Sequence, residues 1–126
     1  MRVLFCGGRG YDDELMVLTV MLSLHEKTPI TCVIHGGARG ADTLAGETAL
    51  ALGIPIEVYL PDWARYGSAA GFARNRRMII EGKPDLVVAF PGGRGTLNMR
   101  SLAVAYGVDL IDLHHDVPLS ARHHLL

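Results

Sequence analysis

The stretch that most constrains this chain is DLVVAFPGGRGT, Asp85 to Thr96. Leu86, Val87, Val88, Ala89 and Phe90 form a continuous apolar run with no polar alternation. A strand reads this way when it is buried on both faces, as in a parallel sheet. The run stops at Pro91, and Gly92, Gly93 and Gly95 then allow backbone turns closed to other residues. Thr96 reads as the N-cap of a helix over LNMRSLAVAYG. A helix that starts just beyond a glycine turn presents unpaired N–H groups and the positive end of its dipole, which suits a phosphate or another anion. The same residues also make a tight strand-to-helix turn with no ligand, so one such turn decides nothing alone.

The rest of the chain repeats the pattern. Val3 to Cys6 form a first strand, ended by Gly7 and Gly8, and Arg9 lies in the turn. Asp12 or Asp13 caps a helix running to Lys27, whose LMVLTVMLSL core is apolar on more than one face, so a second subunit is expected against it. A second strand, Ile30 to Ile34, leads into HGGARGADTLA, with Gly36, Gly37 and Gly40 before a helix to Leu52. Asp42 stands where that helix begins and reads as its N-cap. A carboxylate there competes with phosphate, so this turn suits ribose hydroxyls or an amine, with Arg39 as an anion clamp. Ile54 to Leu60 form the third strand, and residues 61–71 read as a loop. Its Trp63, beside Asp62, either stacks on a base or plugs the loop onto the core. In the following helix, FARNRRMIIEG, Arg74, Asn75, Arg76 and Arg77 stand near the start, where cations oppose the dipole. An anionic ligand supplies a reason for Arg74, whereas Arg76 and Arg77 read as solvated surface. Val108 to Leu113 form the last strand.

This order predicts an α/β, Rossmann-like, doubly wound and mostly parallel sheet of about five strands. It gives one domain over 1–113 and a tail over 114–126. In such sheets the ligand crevice lies at the carboxyl ends of the strands, where strand order reverses. Every glycine turn above lies at a carboxyl end. The turns are not the GxGxxG dinucleotide fingerprint, and no Walker lysine follows them. A formal charge of −1 gives no global basic field toward nucleic acid or membrane. Cys6 and Cys32, each in an apolar run, read as buried reduced thiols. No segment is long and apolar enough to span a bilayer, and no signal peptide is visible, so the expected location is the cytoplasm. The adjacent histidines of the tail lack metal-ligand spacing, so neither a metal nor a cofactor is expected.

Taken together, VLFCGGRGYDD, VIHGGARGADTLA, the Asp62-Trp63 segment, AGFARNRRM and VVAFPGGRGT resemble the SLOG superfamily, in its YspA-like branch of bacteria and phages. The superfamily also holds the LOG phosphoribohydrolases and the Rossmann core of the DNA-processing protein DprA. The resemblance implies a Rossmann-like fold and a pocket for nucleotides or nucleotide-derived ligands. It also implies phosphate at PGGRGT, Pro91 to Thr96, and an arginine from the preceding helix, matched here by Arg74. The LOG pattern PGGxGTxxE ends in a catalytic glutamate, and Met99 stands at that place. Methionine can neither stabilise positive charge on a sugar nor position water. Asp42 or Asp62 would have to replace the glutamate. The sequence therefore favours a binding or sensing module over a hydrolase of nucleoside 5′-monophosphates. DprA-like nucleic-acid binding, which asks for a basic stripe, is disfavoured. The partners expected are a nucleotide-like small molecule and a second copy of the chain, with no membrane.

Overall fold

The computed structural model describes residues 1–113; the tail 114–126, with its two His-His pairs, lies outside the described residues. Five strands form one sheet: β1 (Arg2–Cys6), β2 (Cys32–His35), β3 (Ile56–Val58), β4 (Leu86–Ala89) and β5 (Asp109–Asp112). Its order is β3-β2-β1-β4-β5, and every pair is parallel rather than mostly so. Helices α1 (Glu14–Lys27) and α2 (Ala41–Ala51) precede the short α3 (Trp63–Tyr66), and α4 (Ala70–Ile80) and α5 (Arg94–Ala105) follow. The first two crossovers carry the chain from β1 toward β3, and the chain then returns past β1 to β4 and β5. Right-handed crossovers put helices on opposite faces when the direction reverses, and the core divides accordingly. Val3, Phe5, Val33, Val88 and Phe90 pack against Met16, Val17, Val20 and Met21 of α1 and Ala45 and Ala49 of α2. Leu4, Cys6, Ile34, Val87 and Ala89 pack against Met78 and Ile79 of α4 and Met99 and Ala103 of α5. Because successive strand residues point to opposite faces, a sheet covered on both sides needs apolar residues at every position, which is what LVVAF supplies.

Several local expectations are corrected. Asp13, one of the two candidate caps of α1, accepts a hydrogen bond from the Met16 amide. That helix is less apolar outside than it reads, since Met16, Val17, Val20 and Met21 are buried and its exposed large apolar residues are Leu15 and Leu18. Asp42 is not the N-cap of α2: the cap is Gly40, at φ +76 and with no side-chain bond to the helix. Only glycine takes that conformation without strain, and a Cβ there would overlap the carbonyl oxygen of Gly8. Thr96 is likewise not the N-cap of α5, which is Gly93; Thr96 lies in the first helical turn and is buried. Residues 61–71 are not a loop throughout. The Asp62 carboxylate accepts from the Arg65 amide and caps α3, and a 3-10 turn over Gly67–Ala69 runs into α4. Since α4 starts at Ala70, Arg74 sits one turn inside it, away from the first amides.

Candidate functional site

Strand order reverses between β1 and β4, and a cleft of about 390 Å³ opens above their carboxyl ends. The β1 loop lines it with Gly7, Gly8 and Arg9, the β2 loop with Ala38 and Asp42, and the β4 turn with Gly93, Arg94, Gly95 and Thr96. Trp63, Phe72, Arg74 and Asn75 enter from α3 and α4.

The helices that follow β2 and β4 at this cleft differ from α1. An aspartate caps α1, whereas α2 and α5 start at glycines with no side-chain cap bond. At α2 a carboxylate from the first turn reaches back to the preceding loop. Asp42 Oδ2 accepts from the amides of Gly36 and Ala38 at 3.1 Å each, and the Ala41 amide donates to the Gly8 carbonyl at 3.2 Å. Burial pushes the Asp42 carboxyl above its usual range, while the amides of Ala38 and Gly36, His35 and Arg74 pull it back. At α5 no carboxylate intrudes. Its first turn, Arg94 to Thr96, has amides with no acceptor inside the helix, and these residues line the cleft.

Arg74 and Asn75 join the two sides. Arg74 donates through Nη1 to the Gly36 carbonyl and through Nε to Asn75 Oδ1 at 3.0 Å. Burial lowers its pKa, opposed by the Asp42 carboxylate. Asn75, 5% exposed, donates through Nδ2 to the Gly95 carbonyl at 3.1 Å and to Asn98 Oδ1 at 3.0 Å. It fixes the α5 turn rather than standing free in the cleft. His35, at the end of β2, is buried and its pKa is lowered by that burial; its Nδ1 accepts from the Gly37 amide at 3.0 Å, as a neutral imidazole can.

The sequence-derived candidates therefore fall into three groups. Gly7, Gly8, Arg9, Asp42, Trp63, Arg74, Asn75, Gly93, Gly95 and Thr96 line the cleft. Gly36, Gly37 and Arg39 line a smaller adjoining lobe. Gly40, Pro91 and Gly92 line neither and hold the framework: Pro91 accepts from the Gly8 amide at 2.9 Å, and a Cβ on Gly92 would lie 2.6 Å from that amide nitrogen. Trp63 does not plug the core; it is 51% exposed and belongs to neither core cluster. Arg77 pairs with Glu81 at 2.9 Å on the outside of α4. Sequence reasoning missed Arg94, Phe72 and Ser68 as lining residues. Arg94 was within reach as the variable position of the PGGRGT turn, whereas Phe72 needed the true start of α4.

The chemistry available is anion binding more than bond breaking. Asp42 is the one carboxylate among the lining residues. Asp62 is committed to α3, and Met99 is fully buried in the core between α5 and the sheet, away from the cleft. A glutamate at position 99 would accordingly bury a charge, so Met99→Glu is no simple restoration of a catalytic group. Burial raises the pKa of the Cys6 thiol far out of the range of a nucleophile. No group of acidic, histidine or cysteine side chains suited to a metal occurs among the described residues, and no described helix is long and apolar enough to cross a membrane.

Comparison with known proteins agrees with this architecture. A family model described as the YspA, cpYpsA-related SLOG family matches residues 1–66. The Gene 61 protein of Mycobacterium phage D29 is 34% identical over 119 residues, covering 88% of this chain and 94% of that one. The X-ray structure of DNA processing protein A (DprA) from Streptococcus pneumoniae has a TM-score of 0.73 at 21% identity over 98% of this chain, which spans 55% of the DprA chain. The structure of TM1055 gives a TM-score of 0.66 at 20% identity, over 86% of this chain and 71% of that one. At these identities the structural likeness shows a shared Rossmann-like fold.

The double bond from Asp42 makes a stability prediction. Asp42→Ala leaves the Gly36 and Ala38 amides without their acceptor and is expected to cost about 1–3 kcal/mol in urea unfolding. Asp42→Asn keeps an oxygen in place and should cost clearly less. Equal losses in the two variants, or a change below about 0.5 kcal/mol for Asp42→Ala, would show that the carboxylate does not hold this turn.

Proposed function

Because the chain belongs to the YspA, cpYpsA-related SLOG family, we propose that its crevice binds the phosphate of a nucleotide or nucleotide derivative, as a sensing or sequestering module. The observation that carries this reading is the open glycine cradle of α5. A Cβ on Gly93 or Gly95 would meet no atom within 4 Å, and neither residue has a positive φ. With no side chain at either position, the backbone amides of this turn stay open to an approaching ligand. Arg9, Arg74 and Arg94 line the same cleft and supply charged hydrogen bonds to a phosphate. The exposed rings of Trp63 and Phe72 supply faces for a base. Binding without turnover is supported by the burial of Met99 and by the engagement of Asp42 with two backbone amides. The free, buried cysteines support a cytoplasmic setting.

Gly95→Ala places a methyl group on the cradle while improving helix propensity by up to about 1 kcal/mol. It should unfold at the wild-type temperature or above, yet bind nucleoside monophosphates at least about tenfold more weakly by calorimetry. Arg94→Ala should cost about 1.5–3 kcal/mol of binding. Wild-type affinity in folded Gly95→Ala would remove the phosphate from this turn. Release of free base from a nucleoside monophosphate, abolished by Asp42→Asn with binding retained, would replace the binding module by a phosphoribohydrolase.

The reading includes a homodimer through α1, supported by Leu15 and Leu18, which are 52% and 37% exposed. Sedimentation at micromolar concentration should show a dimer that Leu18→Glu converts to a folded monomer, with the wild-type circular dichroism spectrum and an unfolding temperature that no longer depends on protein concentration; a wild-type monomer would contradict it. Val17 is buried in the core and cannot serve as the probe.

A further inference from the structure

Beyond the α5 turn the crevice continues into a second lobe of about 230 Å³, floored by Gly36 and Gly37 and walled by Arg39 and Pro61. Arg9, Ala38, Trp63 and Arg74 line both spaces and form the waist between them. Asp42 lines the first lobe and not the second, so the second lobe holds three guanidinium groups and no acid. Arg2, Arg77 and Arg100 each pair with a carboxylate, whereas Arg9, Arg39 and Arg94 make no ion pair among the described residues. Being without an ion pair does not by itself mark the crevice arginines, since Arg65 and Arg76 outside it also make none among the described residues; their convergence on one space does. Three guanidinium groups without an ion pair around one connected space leave positive charge there for an anion to neutralise. One phosphate at the α5 turn can meet Arg94 and Arg74, and it leaves the far wall at Arg39 uncompensated. The second lobe has no aromatic wall beyond the shared Trp63 and is little more than half the volume of the first. It suits a phosphate or sugar-phosphate group better than a second base.

We propose that the crevice reads two phosphoryl groups, so that its ligand is a nucleoside diphosphate or a nucleotide extended through a pyrophosphate, with one phosphate at the α5 turn and the other between Arg9 and Arg39. The proposal rests on the nucleotide reading above and adds the second site to it. Arg39 is exposed and forms no hydrogen bond or ion pair in the protein among the described residues, so its removal tests the ligand rather than the fold.

The experiment titrates wild-type protein and Arg39→Ala with the monophosphate and diphosphate of adenosine, guanosine, cytidine and uridine, read by calorimetry. For the base that binds, the diphosphate should bind at least about tenfold more tightly than the monophosphate. Arg39→Ala should erase that margin and leave the monophosphate affinity within about twofold. Arg76→Ala, an equal loss of charge outside the crevice, should preserve the margin, which separates a local contact from the general field of the protein. Equal affinities in the wild type, loss of the margin in Arg76→Ala, or equal weakening of both ligands by Arg39→Ala would overturn the second phosphate site and leave the first intact. Absence of binding by all eight compounds would overturn both readings.

Discussion

The architecture of the crevice hangs on the backbone of one residue, Gly8. Its amide donates to the Pro91 carbonyl of the β4 turn at 2.9 Å, and its carbonyl accepts from the amides of Ala41 and Tyr11 at 3.2 Å each. Three loops from three strands are thereby tied to a single residue at the switch point. The approach is so close that side chains are excluded: a Cβ on Gly40 would overlap the Gly8 carbonyl, and one on Gly92 would crowd the Gly8 amide. Backbone polar groups in a buried loop have to find partners, and at Gly8 those partners are the backbone of neighbouring loops, while Asp42, Arg74 and Asn75 bond the loop backbone around it. Arg9 and Arg94 line the cleft without an ion pair among the described residues and are available to whatever enters it.

Two sets of glycines within this framework carry the functional reading. Gly8, Gly40 and Gly92 are small because protein backbone lies against them. Gly93 and Gly95 are small although nothing lies against them. The electrostatics divide along the same line. At α2 the first turn carries the Asp42 carboxylate, bonded to the loop amides of Gly36 and Ala38 and raised in pKa by its burial. At α5 the helix start faces a cleft with arginines around it and no compensating acid of its own. An anion entering there would meet arginine side chains and the first turn of α5, where amides have no acceptor inside the helix.

Much of this was legible in the chain. Doubly buried strands leave an unbroken apolar run, so LVVAF and VLFC announced a parallel sheet, and a parallel sheet with alternating helices places its loops at one end. The glycine turns then located the crevice. Helix starts were less legible, because Thr96 and Asp42 look like caps in sequence while the caps are Gly93 and Gly40. Propensity favours the polar residue at a cap, but loop-to-loop packing at Gly8 fixes where the backbone turns, and that packing is long-range. The stretch 61–71 lacked periodicity because α3 is a single turn, too short to leave a pattern, although the Asp62 cap was there to read. Moving the start of α4 back to Ala70 brings Phe72 to the cleft. The role of Met99 was invisible for a related reason: its place in a motif suggests the site, while its place on α5 turns it toward the sheet.

The central claim is that the start of α5 is an anion cradle, and backbone amide NMR tests it most directly. In ¹⁵N-labelled protein, a nucleoside monophosphate should shift the amide signals of Gly93, Arg94, Gly95 and Thr96 at concentrations where the matching nucleoside leaves them unmoved. Identical shifts with nucleoside and nucleotide, or nucleotide-induced shifts confined to other parts of the chain such as α1, would contradict it.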